Sequence, residues 1–197
     1  MTIPSIKQFR SGLAWLSFAL AVLSLAACTT TLPQEPGTPA EQRQEINLRS
    51  DAALERRYTN ANEARDLVQR AAGVLVFPRV LSASFVVGGE HGEGVLRVNG
   101  QPQGYYSTTS GSIGFQAGAQ SKAIVILFMT PEALDHFRNS NGWTAGADAT
   151  VAVANIGANG RIDSNTLREP IIGFVMTNAG LVAGVSLNGT KIEKLPL

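Results

Sequence analysis

The run Gly88-Gly-Glu-His-Gly-Glu-Gly94 places Glu90, His91 and Glu93 within four positions of one another, a mixture of groups that can bind a divalent metal or move a proton. A metal site needs three or four such ligands converging from a hairpin or a helix. The chain has only two histidines, and the second, His136, has no histidine one turn away. The glycines therefore read as a tight, close-packed hairpin with polar residues at its tip. Their spacing is not Gly-x-Gly-x-x-Gly, and no amphipathic helix follows to present its N-terminus to a phosphate. Ser110-Gly-Ser112 offers hydroxyls, but no nucleophile-elbow pattern surrounds them and no histidine is near in sequence. Asp148, between small residues, reads as a turn cap. No catalytic residue, metal ligand or cofactor site is assigned, and the expectation is a protein that is not an enzyme.

Basic side chains suggest a different chemistry. Arg79, Arg97 and Lys122 each stand at the end of a strand-like run or in a turn, and Arg70 closes a helix candidate. A guanidinium donates two parallel hydrogen bonds to a phosphate and an ammonium pairs with it as a point charge, so these four are the candidates for contact with a phosphate group. The competing reading is ordinary solvated charges, which also protect sheet edges from aggregation.

The N-terminus carries Lys7 and Arg10 and then an uncharged apolar run from Leu13 to Ala27. That is the layout of a secretory signal, and the run is shorter than the roughly 20 residues of a spanning helix. Leu25-Ala-Ala-Cys28 resembles the lipobox of bacterial lipoproteins, and Cys28 is the only cysteine, so no internal disulfide can form. The resemblance implies cleavage after residue 27, acylation of Cys28 and, with Thr29 rather than Asp next, an address in the outer membrane. Two or more acyl chains hold stably without help from the protein. Loss of residues 1–27 removes two basic residues and no acidic one, leaving 14 Lys plus Arg against 15 Asp plus Glu. Near neutrality argues against a nucleic-acid binder, and no polybasic segment offers itself to anionic lipid.

Residues 28–48, with Pro33, Pro36 and Pro39 and few bulky apolar side chains, read as a lipidated, extended tether. Residues 49–197 have the length of a single domain. A helix is predicted from Ser50 to Ala72, capped by Ser50 or Asp51 and ended by Gly73, with Leu54, Tyr58, Ala61, Ala64, Val68 and Ala71 on its apolar face. Short Val-, Ile- and Phe-rich runs follow, at 74–77, 83–88, 94–98, 103–108, 112–119, 123–129, 149–154, 171–177, 181–186 and 191–194. Asn99-Gly100 and Asn188-Gly189 suit type I′ hairpin turns, and a short helix begins at Pro131. The fold class is α+β, predominantly β. An N-terminal amphipathic helix is expected on a mostly antiparallel sandwich or barrel-like sheet, with a short extra helix near 131–138.

Five ordered blocks, Gly73–Pro78, Val87–Leu96, Gly111–Gln120, Gly146–Thr150 and Gly180–Gly189, resemble the SYLF domain family. The resemblance implies a lipid-binding module: eukaryotic members bind phosphoinositides and some fungal members bind and bundle actin. An actin partner is absent from a bacterial envelope, so the implied function is binding of anionic, phosphoinositide-type head groups at the membrane that Cys28 reaches. The family's membrane-contacting segment would correspond to the predicted helix at Ser50–Ala72. The alternative is a structural or protein-interaction module of the envelope with a protein partner and no lipid ligand.

Overall fold

The computed structural model describes residues 37–58, 62–154, 162–177, 180–182 and 185–197. The segment read as a secretory signal and Cys28 lie outside the described residues. Thr38–Leu197 forms one compact unit.

The helical N-terminus differs from the sequence reading. Helix α1 runs from Pro39 to Tyr58 and α2 from Asn62 to Arg70, so the stretch read as tether up to residue 48 is helical from residue 39. The reason is local. Thr38 N donates to Glu41 Oε2 at 2.8 Å, and Glu41 N donates to Thr38 Oγ1 at 3.3 Å. That reciprocal pair is a capping box, and Pro39 occupies the first helical position, where a missing N–H costs nothing. Ser50, expected as a cap, sits mid-helix and fully buried. Helix α2 buries Ala64 and Leu67, and its last turn is closed by Ala71 N on Leu67 O at 3.0 Å. Gly73 does not terminate it but opens the first strand.

Two long strands dominate the rest. Strand β1 spans Gly73–Val98 and β2 spans Gln101–Phe128, joined at Asn99-Gly100. Both turn residues have positive φ, 51° and 76°, which is the type I′ turn expected there. Runs read as separate strands are thus pieces of one antiparallel ribbon with register shifts at Phe77/Val80, Ser84/Val86 and Leu96/Arg97. Laid flat, strands of this length would extend about 85–95 Å. Instead the ribbon doubles over, the bulges supplying the bends.

The Gly88–Gly94 run lies within β1 rather than at a hairpin tip, and its glycines serve the doubling. A Cβ on Gly92 would sit 2.7 Å from the Arg79 carbonyl oxygen, and one on Gly94 would overlap Val76 O and the Phe77 ring. Only glycine lets the second half of β1 cross the first this closely.

Helix α3 follows, Pro131–Asn139, capped by Thr130 Oγ1, which accepts from Ala133 N at 3.2 Å. Then come β3 (Trp143–Thr144), β4 (Ala152–Val153), a 3-10 turn at Thr166–Arg168, β5 (Ile171–Thr177), β6 (Gly180–Leu181) and β7 (Lys191–Leu195). The seven strands among the described residues belong to one sheet, with β2 as its spine. β1 runs along one edge of β2. On the other edge, Tyr105–Thr109 pair with β7 and Ala123–Phe128 pair with β5. The pairing is antiparallel except for β4 on β5. The domain is α+β and predominantly β.

Of the run read as a strand from Leu181 to Ser186, only Leu181 is strand among the described residues, Val182, Val185 and Ser186 having no strand pairing. At Asn188-Gly189 only the glycine has positive φ, 81°, and Thr190 N donates to Leu187 O at 3.0 Å. Those signs belong to a type II turn rather than type I′.

Residues 74–77, 123–128 and 171–176 are buried on both faces, which explains their unbroken apolar runs. On one face Leu75, Phe77, Ile124, Ile126 and Phe128 meet Leu96, Tyr106 and Ile192 from the folded-over half, together with Leu134, Phe137 and Trp143. On the other, Val74, Val76, Val125, Leu127, Ile172 and Phe174 pack with Ala64 and Leu67 of α2. Phe137 centres an aromatic cluster, 5.0 Å from Tyr106, 4.8 Å from Phe128 and 5.7 Å edge-on to Trp143. Burial there pushes the Tyr106 phenol above its usual range, the Arg138 charge partly opposing the shift.

Candidate functional site

A groove of about 230 Å³ lies between α1 and the doubled β1 strand. Three segments meet there: Glu45, Ile46 and Arg49 on one face of α1, Pro78, Arg79 and Leu81 around the first bulge of β1, and His91, Gly92 and Glu93 after the fold-back. Helical spacing brings 45, 46 and 49 together. The glycine contact brings the other two segments together, because Gly92 lies against the Arg79 carbonyl.

The charges of the groove are not all of one kind. On α1, Arg49 pairs with Glu45 one turn earlier. Glu93 accepts from Gln42 Nε2 on both carboxylate oxygens, at 2.9 and 3.0 Å, and forms no ion pair among the described residues. Arg79 is exposed and forms no ion pair among the described residues. His91 is also exposed. Leu81, on the rim, is 47% exposed, and Leu48, next to Arg49 in sequence, is 62% exposed.

The four basic candidates from the sequence do not converge. Only Arg79 lines the groove. Arg97 is tied into the helix contact: its Nη1 meets Asp51 Oδ1 at 2.5 Å, its Nη2 donates to Asn47 O at 3.2 Å, and its side chain is 12% exposed. Lys122 is held by Glu90 at 2.7 Å, and Ser110 Oγ donates to the same carboxylate at 3.0 Å. That cluster joins Lys122 near the end of β2 to Glu90 beyond the bend of β1, so it staples the doubled ribbon. Arg70 is exposed at the end of α2 with its Nε on Asp66 O at 3.3 Å. Cys28 lies outside the described residues.

Other singled-out residues take structural places. Asp148 Oδ2 accepts from Thr144 N at 2.6 Å, closing a turn as read from its small neighbours. His136 is exposed on α3, away from the groove. Among the described residues no three of His, Cys, Asp and Glu come together as metal ligands, and no helix is long and apolar enough to cross a membrane.

Sequence reasoning missed the α1 wall, because Glu45 and Ile46 were assigned to a tether. The signal was present: Thr38-x-x-Glu41 with Pro39 between them marks a helix start. It also missed the polar seam beneath α1, where Asn47 Nδ2 donates to Tyr105 Oη at 2.9 Å. In that seam Asn47 Oδ1, Ser50 Oγ and Arg97 Nε are buried without a partner.

A family model described as Ysc84, Las17-binding protein actin regulator, matches residues 109–195. The chain is similar to SH3 domain-containing YSC84-like protein 1. The Homo sapiens protein is 30% identical over 132 residues, covering 63% of this chain and 37% of that protein. The Mus musculus protein is 30% identical over 132 residues and 38% of its length, and the Bos taurus protein 29% identical over the same extent. The chain thus spans little more than a third of the relatives it matches. Residues 109–195 match the Ysc84 (SYLF) domain model, and the chain is homologous to the YSC84-like proteins over the stretch it shares with them.

Proposed function

We propose that this is a non-enzymatic binding module of the bacterial outer membrane, held there by acylated Cys28, which engages lipid head groups through the groove between α1 and β1. The observation that carries the reading is Arg79: an exposed guanidinium without an ion-pair partner among the described residues, in a groove with half-exposed Leu81. Leu48 and Leu81 are two of the three large apolar side chains exposed among the described residues. An apolar contact beside a phosphate ligand suits the interface of a bilayer. Tethering keeps the domain at high local concentration near that surface, so a weak site suffices.

The test is co-sedimentation of Thr38–Leu197, the compact unit that contains both core clusters and no cysteine, with vesicles of varied head group. Pelleting that falls on Arg79→Glu supports the proposal. No pelleting with any vesicle at low salt overturns it.

A second reading is a protein-interaction module of the envelope. The family model's description names a protein partner for that family. Crosslinking in cells that repeatedly retrieves one envelope protein, together with absent vesicle binding, is the result that favours it.

A further inference from the structure

We propose that the groove takes a zwitterionic head group bearing a phosphate and a primary ammonium, of the phosphoethanolamine class, rather than a polyanionic one. This rests on the head-group reading above and narrows its ligand. The reason is the distribution of charge. A polyanion calls for several uncompensated cations, whereas Arg49, the other cation lining the groove, is paired with Glu45, and Arg97 beside α1 is paired with Asp51. The groove is left with one unpaired guanidinium, Arg79, and one carboxylate held only by a neutral amide, Glu93.

Arg79 and Glu93 line the same groove, and the backbone of Gly92, the neighbour of Glu93, lies against the Arg79 carbonyl across the doubled strand. A carboxylate whose two oxygens each accept one bond from Gln42 still has lone pairs to accept from an ammonium. The guanidinium fork suits a phosphate. A ligand with one charge of each sign suits a site that offers both signs and little net charge. Choline is excluded as the better occupant because a trimethylammonium has no N–H to donate to Glu93.

The experiment compares Thr38–Leu197 on three vesicle types: phosphatidylcholine alone, phosphatidylcholine with phosphatidylethanolamine, and phosphatidylcholine with phosphatidylglycerol. Binding strongest to the ethanolamine vesicles supports the proposal, and Arg79→Gln and Glu93→Gln should each weaken it about tenfold, the scale of one lost charge-assisted bond. Glu93→Gln should leave phosphatidylglycerol binding unchanged or stronger, a split that a merely misfolded variant would not show. Release from the ethanolamine vesicles by soluble glycerophosphoethanolamine identifies the head group as the recognised part. Binding of glycerophosphoethanolamine to the free domain in calorimetry, without vesicle binding, would assign the site to a free phosphoethanolamine compound and overturn the lipid source. Preference for phosphatidylglycerol, with ethanolamine no better than choline, overturns the zwitterion while leaving the head-group reading intact; silence from all three overturns the head-group reading itself.

Discussion

Gly94 packs against Phe77, seventeen residues earlier in the same strand, so closely that a Cβ on the glycine would sit 2.6 Å from the ring's Cδ1. The strand crosses itself at this point, and the space for a side chain is taken by backbone and a buried ring. Gly94→Ala should therefore destabilise the domain by about 1–3 kcal/mol through overpacking. Gly89 is the control, since a Cβ there meets nothing within 4 Å. Gly89→Ala should shift stability by less than about 1 kcal/mol. Urea unfolding followed by Trp143 fluorescence, the only tryptophan in Thr38–Leu197, measures both. Equal costs at the two positions would contradict the crossing.

Ser50 gives a prediction of opposite sign. Its hydroxyl is buried mid-helix with no partner among the described residues, and alanine is the better helix former. Ser50→Ala should stabilise the domain by about 0.5–1.5 kcal/mol. A raised urea midpoint with an unchanged slope is the expected result; a loss of stability would mean that the hydroxyl is bonded.

Arg97 and Arg79 should separate stability from binding. Arg97→Ala removes contacts to Asp51 and Asn47 O and should cost about 1–2 kcal/mol, discounted because Asp51 is 53% exposed. Arg79→Ala should leave stability within about 0.5 kcal/mol and lower vesicle binding. Thermal melts and vesicle pelleting on the same two variants check the division.

Acidification should loosen the start of α1. The Glu41 carboxyl is held below its usual range, first by the Thr38 backbone N–H and then by the Thr38 hydroxyl. A depressed folded value means that its contribution is present above the ordinary glutamate pKa and lost as pH falls through the depressed one. Helical circular dichroism should decline over that acid window, and Glu41→Gln should remove this part of the pH dependence. The group is fully exposed, so raised salt should shrink the effect.

Sequence pattern revealed the α+β class, the Asn99-Gly100 turn, the helix start at Pro131 and strand β5, because each is fixed by residues that are neighbours in the chain. What it missed depends on distance. Nothing local says that Gly92 and Gly94 are small because Arg79, Val76 and Phe77 lie over them, so the run read as a hairpin tip. The groove was hidden for the same reason, its walls coming from residues 45–49, 78–81 and 91–93. Arg97 and Lys122 looked as available as Arg79, since sequence does not show which cations Asp51 and Glu90 occupy. Proline at 39 was taken for tether composition although its position after Thr38 marks a helix start.

The pairing of β7 with the first half of β2 has a kinetic side. Lys191 bonds across to Thr109 and Leu195 to Tyr105, partners 82 and 90 residues apart in sequence, whereas the β1/β2 ribbon can zip outward from its two-residue turn. Loop closure over such separations slows folding. The ribbon should thus form early and β7 should dock late, leaving the strand edge at Tyr105–Thr109 open in the interval. The chain would be most prone to aggregate during that interval, so a holding chaperone would protect it most before the C-terminal strand closes.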